Sequence, residues 1–306
     1  MPFGLTNSPA TFQRLIKPIL RPVLGIELVI KTDIHIDEDE GMLVVAYIAD
    51  IIISNKGSVE KDQRQLGKGF DSLLENQMCI DIDKCVFEQT EAVFLGLIVN
   101  GKSIRMDPAK AHDIVDWPKP KNQKEVQQVL GLWNIYTRFI PNYAQRVAPI
   151  MDILRGDGKD FHFAEAQEAA SLKMVVLLTS GKTPILRHFD QDRPAIIETD
   201  ASHCAIGAVL SQKFEDGKIH PCSFSSRKLS PAEFNYDVFD KKMLAIVDAL
   251  QKWRHYALGT PHIITIFSDH QNLEYFTTKV NLNRRQARWA EILQEYSSLV
   301  YIEKDL

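Results

Sequence analysis

From Gly41 to Ile53 the chain reads Gly-Met-Leu-Val-Val-Ala-Tyr-Ile-Ala-Asp-Ile-Ile-Ile, a run in which only Tyr47 and Asp50 interrupt the apolar character. It is too short to span a bilayer. Its two apolar halves flank Tyr47-Ile48-Ala49-Asp50, a pattern that predicts a two-strand hairpin with a polar tip. A lone carboxylate at the tip of an apolar hairpin marks Asp50 as a candidate functional position.

The rest of the chain predicts further small elements of both kinds. Ser8-Pro9 reads as an N-cap with proline at the first helical position, opening a short amphipathic helix that ends near Pro18 or Pro22. The acidic segment from Lys31 to Glu40 lacks the spaced glycine and ligand pattern of a calcium loop and reads as solvated loop. Residues 58–77 predict a helix burying Leu66, Phe70, Leu73 and Leu74, followed by strands at Cys85–Phe87 and Val93–Val99. A helix from Gln123 to Phe139 carries Val126, Val129, Leu130 and Trp133 on its apolar face, and Gly156-Asp157-Gly158-Lys159 is the best linker candidate. Beyond it the pattern predicts a helix at 164–178, strands at 195–200, 205–210 and 221–225, one long helix from Pro231 to Ala257, and a strand at Ile263–Phe267.

At 306 residues there is room for two domains or three small ones, and 45% hydrophobic with 25% charged residues is ordinary globular composition. The net charge of −4 and pI near 6.2 give no global footprint for nucleic acid, so such binding has to come from local basic faces. Cys79, Cys85, Cys204 and Cys222 show neither a paired motif nor zinc spacing. With no signal-peptide pattern at the start, an intracellular location, cytoplasmic or nuclear, is expected, with no membrane span.

In the second half Asp200 follows one predicted strand and Asp269 another. Single carboxylates at separate strand ends are how a two-metal nuclease collects hard oxygen ligands for magnesium, although an acid at a strand end, taken alone, reads first as surface solvation.

Several motifs occur together and in order: Met1-Pro2-Phe3-Gly4-Leu5 through Gln13, Tyr47 to Asp50, Phe94-Leu95-Gly96, Met106-Asp107-Pro108, Glu198-Thr199-Asp200-Ala201-Ser202, Ser226-Arg227-Lys228-Leu229-Ser230-Pro231, Asn235-Tyr236-Asp237 and Arg284-Arg285-Gln286-Ala287-Arg288-Trp289. With them nearly the whole chain resembles the Pol polyprotein of gypsy-class LTR retrotransposons, of fungal type. The resemblance implies an α+β fold, with a partial reverse-transcriptase palm over 1–100, thumb and connection helices over 101–156, and a mixed-sheet RNase H-like domain over 157–306. It implies RNA-directed DNA polymerase and RNA–DNA hybrid ribonuclease activities, Mg2+ as cofactor and a nucleic acid, the RNA–DNA hybrid, as partner. It also implies a chain truncated at both ends, with one palm carboxylate expected upstream of Met1 and one RNase H carboxylate downstream of Leu306.

The departures from the family pattern are as informative as the matches. The turn that in the family carries two adjacent carboxylates has Ala49 in the first place and keeps only Asp50. Where the family pattern carries a glutamate on the long helix, this chain has Lys242, whose charge is expected to pair with Asp200 and Asp269 and occupy the cation's place. Asp240 cannot stand in, since two helical positions turn it roughly 200° away. Metal binding at Asp50, Asp200 and Asp269 is therefore expected to be weakened or lost, and the chain is expected to be catalytically defective. Two alternatives stay open: a residual metal-dependent nuclease with an unrecognised further ligand, and a co-opted nucleic-acid or protein binding module. For the latter Arg284, Arg285 and Arg288 are the candidate phosphate contacts, against the reading of an ordinary solvated helix face.

Overall fold

The computed structural model describes residues 7–24, 42–47, 50–55, 58–115, 117–155, 161–258, 260–268, 282–296 and 300–304. The chain divides into two units, Met1–Gly101 and Lys102–Leu306.

The first unit contains α1 (Ser8–Leu24), β1 (Met42–Tyr47), β2 (Asp50–Asn55), α2 (Val59–Glu75), β3 (Glu91–Phe94) and β4 (Leu97–Asn100). The expected hairpin is present: β1 and β2 pair antiparallel with Tyr47 opposite Asp50. Helix α1 runs through Pro18 and Pro22 instead of stopping at them. Each proline removes one ladder bond, and the helix has the burial of Ile16, Ile19 and Leu20 against Leu73, Ile51 and Ile53 to offset that loss.

Helix α2 starts as the sequence suggests, with the Ser58 side chain accepting from the Lys61 amide, but it buries a different stripe. Gln65, Gly69, Ser72 and Leu73 face inward while Leu74 is exposed. The stripe follows the close approach of β2, where a Cβ at Gly69 would lie 3.0 Å from Ile53 Cδ1. Residues 85–87 are not a strand, and the single strand expected over 93–99 is two, folded at Leu95-Gly96, both with positive φ (53° and 75°). Two successive left-handed residues are what a tight two-residue hairpin needs, and the apolar character of Leu95 hides that turn from a polarity pattern.

The second unit contains β5 (Ser103–Met106), α3 (Pro108–Val115), α4 (Gln123–Asn134), α5 (Tyr143–Asp152), α6 (Glu165–Thr179), β6 (Leu186–Arg187), β7 (Ala195–Ala201), β8 (Ala205–Lys213), β9 (Ile219–Lys228), α7 (Pro231–Phe234), α8 (Val238–Lys252), α9 (Arg254–Ala257), β10 (Ile264–Ser268), α10 (Arg284–Gln294) and β11 (Val300–Lys304). A five-stranded mixed sheet in the order β11-β10-β7-β8-β9 forms its centre. Strand β7 is the middle strand, antiparallel to β8 and parallel to β10. Helix α8 lays Met243, Ala245, Ile246, Ala249 and Leu250 on Ile197, Leu210 and Ile266, and Trp289 and Leu293 of α10 close the same core.

The one long helix expected from Pro231 to Ala257 is three. Ser230 and Glu233 form a capping box that opens α7; Asn235 ends it, the Asp237 side chain then accepts from the Asp240 amide to start α8, and Trp253 ends that helix before α9. Helix α4 buries Val126, Val129, Leu130 and Trp133 as its periodicity suggests, and stops at Asn134 ahead of a 3-10 turn at Thr137–Phe139. Helix α5 docks on the sheet: the Ala144 amide donates to Ser226 Oγ (3.2 Å), and Lys228 Nζ pairs with Asp152 (2.6 Å). The acidic segment 31–40 and the linker candidate at 156–159 lie outside the described residues. No described helix is long and apolar enough to cross a membrane.

Candidate functional site

Strand β7 carries Asp200 near its C-terminal end, directly opposite Gly207 of β8. The end of the central strand of a mixed sheet is where strand termini and loops leave room for a ligand. Asp200 keeps a solvent-exposed carboxylate (66% of its side chain), and Lys242 reaches it from α8 with Nζ 2.8 Å from Oδ1. The lysine itself is buried, with 7% of its side chain exposed. A buried ammonium has to be paired, and a charge-assisted hydrogen bond at this distance is a strong pairing.

Asp240, two positions earlier on α8, points elsewhere. Its carboxylate is 1% exposed and accepts from Arg285 Nη2 and from Gln286 Nε2 (2.8 Å), both at the start of α10. The Arg285 guanidinium also lies over the Tyr236 ring, 3.7 Å from its centroid, and 5.5 Å from that of Trp289. Burial works against the charge of Arg285, yet its bonds to Asp240 hold its pKa above the ordinary value. The structure thus divides the arginines proposed from sequence. Arg285 is committed to a buried clamp, whereas Arg284 and Arg288, one helical turn apart, remain on the exposed face of α10.

A further group beside Asp200 was not legible in the sequence. Asn142, at the start of α5, adopts a left-handed conformation (φ 53°) that its short polar side chain tolerates. Its Oδ1 lies 2.8 Å from where a Cβ at Gly207 would stand. Asn142, Gln145, Asp200, Ser202, Gly207 and Ser226 line a crevice of about 10 Å³, room for about one water. No local pattern in Pro141-Asn142-Tyr143 signals this, because the contact is made between segments far apart in the chain.

Of the other residues proposed from sequence, Asp50 is exposed at the first position of β2. Ala49 and Asp269 fall outside the described residues.

Comparison with known proteins gives these placements a family. A model described as reverse transcriptase (RNA-dependent DNA polymerase) matches residues 1–99, and one described as the RNase H-like domain found in reverse transcriptase matches residues 190–296. The Tf2-3 and Tf2-7 transposon polyproteins of Schizosaccharomyces pombe are each 34% identical to the chain over 299 residues, 97% of its length. The chain is a relative of LTR-retrotransposon polyproteins. It spans about a fifth of those relatives' length, 21%. Among solved structures, a foamy viral protease-reverse transcriptase in complex with double-stranded DNA matches with a TM-score of 0.76 at 20% identity, covering 99% of this chain and 50% of that one. A foamy viral protease-reverse transcriptase in complex with RNA/DNA hybrid matches at 0.73 and 20% identity, covering 100% and 39%. At that identity the likeness establishes the fold: a reverse-transcriptase segment and an RNase H-like domain.

Such retrotransposon domains use divalent metal ions. The described residues around Asp200 do not fit one. A divalent cation wants several oxygen donors, with carboxylates among them. Here Asp200 offers a single carboxylate, which already carries the Lys242 ammonium. Among the described residues no group of three or more His, Cys, Asp or Glu side chains is arranged to hold a metal.

Proposed function

We propose that this chain is a reverse-transcriptase/RNase H-like part of a retrotransposon polyprotein that keeps a nucleic-acid-binding scaffold and does not cleave RNA–DNA hybrids. The observation that carries the reading is the Lys242–Asp200 ion pair. It places a cation of the chain itself on the carboxylate that metal-dependent hydrolysis would use. On the polymerase side the support is Ala49, because a methyl group cannot coordinate magnesium. Within this reading the palm part extends over 1–100, the helical connection over 101–156 and the RNase H-like part over 157–306. The nucleic acid, of the RNA–DNA hybrid class, meets the chain through cations such as Arg284 and Arg288, whose phosphate contacts need no metal.

The test is cleavage of a labelled RNA–DNA hybrid in Mg2+ and in Mn2+, run beside a binding titration. Loss of metal ligands costs on the order of 10³-fold or more in rate, so no cleavage above background is expected. Binding is expected to weaken with salt, and Arg284→Ala with Arg288→Ala to lower the salt slope by about 2. Robust turnover abolished by Asp200→Asn would overturn the reading.

A further inference from the structure

We infer that Lys242 is a built-in replacement for a divalent cation, which makes the RNase H-like fold and the charge state of its Asp200 face independent of metal. The inference rests on the reading above, and it concerns what holds the face together, not what the face does to a substrate. Three observations carry it. Lys242 is placed by a rigid element, with Met243, Ala245 and Ile246 of the same helix fully packed in the core, so its ammonium is aimed at β7 by the fold. The asymmetry of the pair is that of a cation bound from within: the lysine is 7% exposed and Asp200 66%, so the positive group sits inside and the carboxylate closes over it. The adjoining crevice, lined by Asn142, Gln145, Ser202 and Ser226, adds no second carboxylate to Asp200, whereas a divalent ion wants more than one hard, charged ligand.

The same geometry states what a reversal should do. Lys242→Glu would set a second carboxylate facing Asp200, and two facing carboxylates repel each other unless a cation joins them. That variant should be less stable than wild type in chelator and should regain stability with Mn2+ in a saturable manner. The melting temperature should rise by at least about 4 °C at saturating ion, the scale of a ligand held about 100-fold below its concentration. Lys242→Gln, which removes the charge without adding a ligand, should be less stable than wild type and indifferent to Mn2+.

The experiment is thermal unfolding of the full chain, as wild type, Lys242→Glu, Lys242→Gln and Lys242→Glu with Asp200→Asn, in EDTA and in Mn2+ at matched ionic strength, with Mn2+ binding followed by electron paramagnetic resonance. The inference expects a wild type unmoved by Mn2+, a Lys242→Glu protein stabilised by it, and loss of that stabilisation in the double variant. It is overturned if wild type binds Mn2+ in a way that Asp200→Asn removes, or if Lys242→Glu responds no more than Lys242→Gln. Should Lys242→Glu fail to fold, Mn2+ binding to wild type against Asp200→Asn decides alone: equal, weak binding supports the inference and tighter binding by wild type overturns it. Hybrid cleavage by wild type would sink the functional reading, whereas an inert wild type whose Lys242→Glu variant ignores Mn2+ sinks only this inference.

Discussion

Arg285 is the residue on which the binding and structural readings of α10 part most sharply. Its guanidinium answers the buried Asp240 carboxylate and lies on Tyr236, while Arg284 and Arg288 on the same helix face solvent. Arg285→Ala leaves Asp240, 1% exposed, with the Gln286 amide, at 2.8 Å, as its remaining side-chain donor among the described residues. Breaking a buried pair by removing one partner costs about 3–5 kcal/mol. With 35% of the Arg285 side chain exposed, water can reach part of the gap, so about 2–4 kcal/mol is the better expectation. For a unit of about 200 residues that is a fall in melting temperature of roughly 4–16 °C. Arg284→Ala and Arg288→Ala, which disturb no buried group, should stay within about 0.5 kcal/mol of wild type. Denaturation of the three variants followed by circular dichroism, with hybrid affinity measured at several salt concentrations, separates the roles. The reasoning is refuted if Arg285→Ala is as stable as wild type and loses only affinity, since Arg285 would then act as a phosphate ligand and Asp240 would not need it.

Two further outcomes follow from the same unit. Gly207→Ala would set a methyl 2.8 Å from Asn142 Oδ1 and is expected to cost about 1–3 kcal/mol in equilibrium denaturation, with partial rescue by Asn142→Gly, which withdraws the clashing atom and accepts the φ of 53°. Arg227 ties β9 to α7 and α8 by bonding both Glu233 and Asp248, and the bond from Arg227 holds the Glu233 pKa below its ordinary 4.5. Because that folded-state value is depressed, its contribution is fully present above pH 4.5 and is lost as pH falls through the folded value. Glu233→Gln should cost about 1–2 kcal/mol at neutral pH and progressively less on acidification, as followed by denaturation across the acid range.

What the sequence revealed and what it hid have physical causes. The β1–β2 hairpin, the buried face of α4 and the strands around Asp200 were legible because each is fixed by local alternation or periodicity. The opposition of Lys242 and Asp200 was readable in outline through the family resemblance, which places an acidic residue at position 242 of the helix, and not from any local pattern. The Leu95-Gly96 turn was missed because both flanks are apolar, and the break of the long helix was missed because Asp237 looks like any polar helix residue until its side chain is seen capping Asp240. Neither the Asp240–Arg285 clamp nor the Asn142 contact with Gly207 could be read locally, since each joins residues dozens of positions apart.

Asp200 and Asp240 share one electrostatic solution, and under the proposed function it accounts for a stable fold without metal chemistry. Carboxylates gathered at strand ends and at the first turn of a core helix repel one another and resist burial unless cations answer them. In this chain both answers are covalently attached: Lys242 for Asp200 and Arg285 for Asp240. A neutral residue at position 242 would have removed a metal ligand equally well, but it would have left Asp200 without the Lys242 ammonium. A lysine removes the ligand and supplies the charge in one step. The difference between the two cases is measurable as the stability gap between wild type and Lys242→Gln in the absence of metal, and a gap of zero would mean that Asp200, two-thirds exposed, is satisfied by water alone.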